Sequence, residues 1–99
     1  MKESQIERLV REMGLSRKEF FRTLPAVVEN LPSKIEENRI TIGWSQGSVV
    51  IDLGPETDRK LGSLALPTMN VEFQFIGLNP SDREGFLAHF DRYFQRGGG

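Results

Sequence analysis

Between Arg39 and Ile76 apolar and polar residues alternate with a period of two, the spacing of β-strands that bury one face. Folded about Gln46-Gly47, the first half sets Trp44 opposite Val49, Ile42 opposite Ile51 and Ile40 opposite Leu53. Folded about Pro67-Thr68, the second half sets Leu66 opposite Met69, Leu64 opposite Val71 and Gly62 opposite Phe73, with the glycine leaving room for the ring. In both hairpins the large apolar residues collect on one face. Thr41, Ser63, Asn70, Glu72 and Gln74 stay on the other. A one-residue slip would invert every side chain, so agreement between paired strands says more than either run alone. The pattern predicts a four-stranded antiparallel meander with one dry face and one wet face.

The flanks carry helical spacing. Ile6, Leu9, Val10 and Met13 recur at i, i+3, i+4 and i+7, which predicts a first helix stopped by Gly14. Ser16 and Glu19 form a capping box, and Leu15 with Phe20 the matching hydrophobic staple, so a second helix starts at Ser16. Phe20, Leu24, Val27, Val28 and Leu31 lie on one of its faces. Pro25 removes a donor within it and predicts a kink or a break. Leu31-Pro32 ends it, and Ser33 to Asn38 is a polar connection with room for a short extended segment. Gly54 to Asp58 is turn chemistry joining the two hairpins. After Ile76, Asn79 as N-cap with Pro80 at the first helical position starts a last helix, against a competing box of Ser81 and Glu84. Phe86, Leu87, Phe90, Tyr93 and Phe94 then form the most apolar stripe of the chain, with Arg92 and Arg96 near its end. The expected order is α-α-β-β-β-β-α, an α+β domain over residues 1–96 with helices covering the dry face. Residues 97–99 read as a flexible glycine tail.

Composition narrows the chemistry. The chain has 99 residues, a formal charge of −1 and no cysteine. That length supports one core without staples. Disulfides, thiol chemistry and cysteine–zinc sites are excluded. No block of one sign offers the field of a dedicated polyanion or polycation binder. The amphipathic N-terminus is no signal sequence and no apolar run approaches membrane-spanning length, so a soluble cytoplasmic domain is expected.

Catalytic signatures are missing. His89 is the sole histidine and sits beside the Phe86/Phe90/Tyr93 stripe. A general base needs partners that the sequence does not supply, so His89 reads as a boundary residue that buries its ring edge. No ligand spacing marks a metal site, no nucleophile elbow is present, and no cofactor is expected. A helix-turn-helix reading of Ile6 to Leu24 would offer Arg17, Lys18 and Arg22 to nucleic acid. Six basic and four acidic side chains from Met1 to Leu24 make a weak phosphate footprint, and Pro25 would cut the recognition helix short. The wet face has no aromatic for base stacking, since Trp44, Phe73 and Phe75 fall on the dry side. The tail Arg96-Gly97-Gly98-Gly99 resembles the glycine-ended termini of ubiquitin-like modifiers and sulfur carriers. In that family the tail follows a strand, whereas here it follows a helix.

Elimination leaves surface recognition. The strand from Met69 to Ile76 is long and alternately apolar, and at the end of a meander it would be a free edge for a partner strand. Met69, Val71, Glu72, Gln74 and Ile76 are the expected contact residues. The reading is a small non-enzymatic accessory or adaptor domain of bacterial type, with an unidentified protein or a second copy of itself as partner. Nucleic-acid binding through Arg17, Lys18 and Arg22, and a carrier role for the tail, are its alternatives.

Overall fold

The dry-face apolar residues do assemble a sheet, but its membership differs from a four-stranded meander. A computed structural model describes residues 6–94 of the chain, so the expected glycine tail lies outside the described residues. The elements are β1 (Ile6–Met13), α1 (Arg17–Val28), β2 (Ser33–Glu36), β3 (Arg39–Trp44), β4 (Gly47–Leu53), β5 (Thr57–Leu61), β6 (Leu64–Ile76) and α2 (Pro80–Phe94). The order is thus β-α-β-β-β-β-β-α, still α+β. Every strand pairing is antiparallel, in the order β1-β6-β4-β3-β2, and β5 pairs with β6.

The first element is the largest correction. Ile6–Met13 is a strand, not a helix, and its whole length pairs with β6 from Ile6 opposite Ile76 to Met13 opposite Met69. Leu9, Arg11 and Met13 turn towards the core on alternate positions, while Ile6, Arg8, Val10 and Glu12 face out. Arg11 is tolerated inward because its guanidinium forms a two-pronged bond with Asp91 of α2, at 2.6 and 3.1 Å, and lies over the Phe73 ring. The apolar residues of this segment fit a helical stripe as well as they fit half of a strand face. The unpaired flank of β6 decides between them, because buried strand backbone must find partners.

The first hairpin turns through Ser45-Gln46, so Trp44 faces Gly47, Ile42 faces Val49 and Ile40 faces Ile51. This register is two residues from the expected one, and a slip of two keeps every side chain on its predicted face. The second hairpin is different. Its turn is Gly62-Ser63, with Gly62 at φ +63°, and Pro67 sits inside β6 opposite Asp58. Gly62 is therefore far from Phe73, which pairs with Ile51 and Leu9. Proline is accommodated because, among the described residues, β6 has only β5 as a neighbour between Leu64 and Thr68. From Leu53 to Thr57 the chain takes four steps, against three from Val71 to Thr68, so one extra residue is spent at Gly54–Glu56. The Gly54 amide still donates to the Asn70 carbonyl at 2.8 Å. β4 and β5 thereby form one long, bulged partner for β6.

Both helices cover one face of the sheet. Phe20, Leu24 and Val27 from α1 and Phe86 and Phe90 from α2 are buried against Ile40, Ile42, Val49, Ile51, Leu53, Met69, Val71, Phe73 and Phe75. The Phe90 ring meets Phe73 edge-on at 5.0 Å, and Phe20 joins the two helices. α1 runs unbroken through Pro25 and closes at Asn30, which takes a left-handed φ of 67°. α2 begins as the cap pattern predicts, with Asn79 Oδ1 accepting from the Asp82 amide at 2.7 Å.

The start of α1 also matches its signature. Ser16 Oγ accepts from the Glu19 amide at 3.1 Å, and Glu19 returns the bond to the Ser16 amide at 2.9 Å. Ser16→Ala is expected to lower the unfolding free energy by about 1 kcal/mol, the usual cost of losing such a cap. Urea titration monitored by far-ultraviolet circular dichroism checks this. An unchanged midpoint would mean that the cap is not needed.

Candidate interaction surface

Burial alternates along β6 from Met69 to Ile76, whereas Leu64, Ala65 and Leu66 are all exposed and Thr68 is buried beside Met69. Met69, Val71, Phe73 and Phe75 are buried under the helices. Leu64, Leu66, Asn70, Glu72, Gln74 and Ile76 alternate onto the open face. Directly opposed residues of antiparallel strands share a face. Strand pairing therefore adds Ile6, Arg8, Val10 and Glu12 from β1, Val50 and Asp52 from β4, Arg39 and Thr41 from β3, and Arg59 and Leu61 from β5.

At the body of this face, charges neutralise one another across strands. Arg39 reaches Asp52 with two bonds, of 2.7 and 3.1 Å, and Gln74 donates to the same carboxylate at 3.1 Å. The hydrogen bond from Arg39 to Asp52, reinforced by that charge, holds the Arg39 guanidinium above its usual value. Arg8 pairs with Glu72 at 3.3 Å and Arg59 with Glu12 at 2.7 Å. Being exposed, such pairs contribute little stability and can be exchanged at low cost.

Towards the tip the character changes. β5 and the first residues of β6 form an arm in which every residue from Thr57 to Leu66 is exposed. Leu61, Leu64 and Leu66 lie on the same face of that arm and are 44 to 62% exposed. Ile6 and Val10 are exposed on the same face along β1, with the Arg59–Glu12 pair between them and the arm. Among the described residues six large apolar side chains are exposed, and only Ile35 falls outside this face.

The expected contact residues are distributed differently from the sequence reading. The Met69–Ile76 segment is not a free edge, because β1 pairs with one side of it and β4 with the other over most of its length. Met69 and Val71 are buried, while Glu72, Gln74 and Ile76 are half-buried within the open face. The helix-turn-helix geometry is absent, since its first helix is β1. Arg17, Lys18 and Arg22 are exposed on α1, and Arg17 is engaged within the fold. Its amide donates to Glu56, its Nε to Asn38 Oδ1 at 2.8 Å, and its guanidinium lies over the Phe21 ring.

His89 bridges the two helices, donating from Nε2 to the Val27 carbonyl at 2.7 Å. Its ring lies between Trp44 and Tyr93, at 5.3 and 5.5 Å. A cleft of about 210 Å³ lies between β1 and the start of α2. Its walls carry Glu7 and Glu84 with Arg8 and Arg83, so it has no net charge to select an ion.

The residues missed by sequence reasoning are the exposed ones: Ile6, Val10, Leu61, Leu64 and Leu66. A signal for the arm was present, because Leu61-Gly62-Ser63-Leu64 is a two-residue hairpin loop with glycine first. No family model, curated protein or solved structure matches the chain. Among the described residues no helix is long and apolar enough to cross a membrane.

Proposed function

We propose that the chain is a small, non-enzymatic accessory or adaptor domain that binds a protein through the open face of its sheet and the arm at its end. One observation carries this reading: the exposed large apolar side chains gather on that face rather than scattering over the surface. Single exposed apolar residues are ordinary, whereas three leucines grouped on one face of the arm beside charged side chains have the character of a contact surface. The placement of His89, with its Nε2 engaged by Val27 and its ring wedged between aromatics, fits a structural role and supports a non-enzymatic reading.

The arm separates binding from folding. Replacing Leu61, Leu64 and Leu66 together with serine is expected to change stability by less than about 1 kcal/mol, because these side chains bury little. The same variant is expected to lose its protein partner when N-terminally tagged wild-type and variant chains are compared by affinity capture and mass spectrometry. Identical recovery by both chains, or recovery that disappears with nuclease, would overturn the proposal.

A further inference from the structure

We propose that two copies of this chain join edge to edge through β1, in an antiparallel register centred on Val10, to make one continuous sheet. The inference concerns the sheet edge rather than the open face, so it stands or falls apart from the reading above. Among the described residues β1 pairs only with β6, which leaves the outer backbone of an eight-residue strand without a neighbour. Such an edge recruits another strand unless its side chains oppose the match.

Here the side chains favour it. A two-fold axis perpendicular to the sheet brings residues of the same face opposite one another. Only registers centred on a residue satisfy that rule. The register centred between Leu9 and Val10 would set Glu7 against Glu12 and Arg8 against Arg11, and the pleat forbids it. Two centred registers use nearly the whole strand, and each opposes charges of unlike sign.

Centring on Leu9 matches Glu7 with Arg11 of the second copy. Arg11, however, is already held by Asp91 at 2.6 Å and packed on Phe73. That register would also set the exposed Ile6 against Glu12. Centring on Val10 matches Arg8 with Glu12 of the second copy, twice. Both side chains are at least half exposed, and their present partners are surface pairs. Val10, itself 60% exposed, then lies against its own copy. Arg8 and Glu12 stand two residues either side of Val10 with opposite signs, which is what a strand pairing with itself about Val10 requires.

Sedimentation velocity of the full chain over micromolar to millimolar concentration tests this. The expected result is a shift from the 11.3 kDa monomer to a species of twice that mass. Arg8→Glu places carboxylates opposite Glu12 of the second copy and is expected to abolish the shift. Glu12→Arg does the same with cations. Mixing these two variants restores opposite charges at both positions, so dimer should reappear in the mixture alone. A wild-type chain that stays monomeric, or variants that dimerise as wild type does, would overturn the proposal.

A cross-link removes dependence on how the charge variants fold. The chain has no cysteine, so Val10→Cys introduces a unique thiol at the two-fold axis. It should oxidise to a linked dimer faster than Ile6→Cys. Equal rates would exclude the Val10 register. The Leu61, Leu64 and Leu66 serine variant should dimerise normally, which distinguishes loss of the arm from loss of the edge.

Discussion

Phe90→Ala is expected to lower the unfolding free energy by about 3 to 5 kcal/mol, the range for truncating a fully buried aromatic. Phe90 is completely buried at the point where both helices meet the sheet. Its ring meets Phe73 edge-on at 5.0 Å, stacks on Phe94 at 4.2 Å, and lies near Phe20 and Phe86. Its neighbours come from β6, α1 and α2, so they cannot all close the void by shifting one element. The loss therefore includes a cavity term as well as transfer of the ring to water.

A domain of this size typically has about 5 to 15 kcal/mol to lose, so the variant should remain folded but sit near its limit. Urea titration measures the change, with an unaltered slope confirming that the midpoint shift reports stability. Phe94→Ala provides the comparison. Its ring stacks on Phe90 but is only half-buried, so its loss should cost less. Equal effects for the two, or a change near zero for Phe90, would mean that α2 does not seal the sheet.

The importance of that helix was legible in the sequence because its stripe is long and uniformly apolar. The cap at Ser16 and the dry face of β3 and β4 were legible for the same reason: local chemistry and tertiary burial agree there. The two-residue error in the first hairpin follows from what period-2 patterning encodes. It specifies the face of each residue and is blind to slips of two. Two other elements were hidden by different causes. In β1, Arg11 occupies an inward position, breaking the apolar alternation, and its justification lies 80 residues away at Asp91. No local window contains that information, so the helical spacing of Ile6, Leu9, Val10 and Met13 was the better fit to what remained.

The arm was hidden for the opposite reason. Thr57–Leu61 buries nothing, so it has no reason to alternate, and it is a strand only because β6 continues past the body to pair with it. Placing the second turn at Pro67-Thr68 then assigned Leu64 and Leu66 to the core. The candidate surface was lost with the same mistake, since both residues belong to it and Leu64 is its most exposed apolar side chain. A surface made of apolar residues outside the core looks like core in sequence until the turn is correctly located.

Gly47→Ala is expected to destabilise the fold by about 3 kcal/mol, at the upper end of the overpacking range because the obstacle is backbone. Gly47 opens β4 opposite Trp44, and β6 ends beside it. A Cβ at this position would overlap the Ile76 carbonyl oxygen and meet the Gly77 carbonyl carbon and oxygen at 2.9 Å. Rotating a side chain cannot relieve that overlap. Either β4 separates from the end of β6, costing the pairing of Ser48 with Ile76, or the reversal at Gly77 is distorted. Gly77 already has a left-handed φ of 70°, so it has few alternative conformations that keep α2 in place. Gly14→Ala is the control, because nothing among the described residues lies within 4 Å of a Cβ there. It should leave stability within about 0.5 kcal/mol of wild type. The contrast measures the backbone approach itself, since both changes add one methyl group and remove the same glycine freedom from the unfolded chain. Equal midpoints for the two variants would mean that β4 and the end of β6 are further apart than this packing requires.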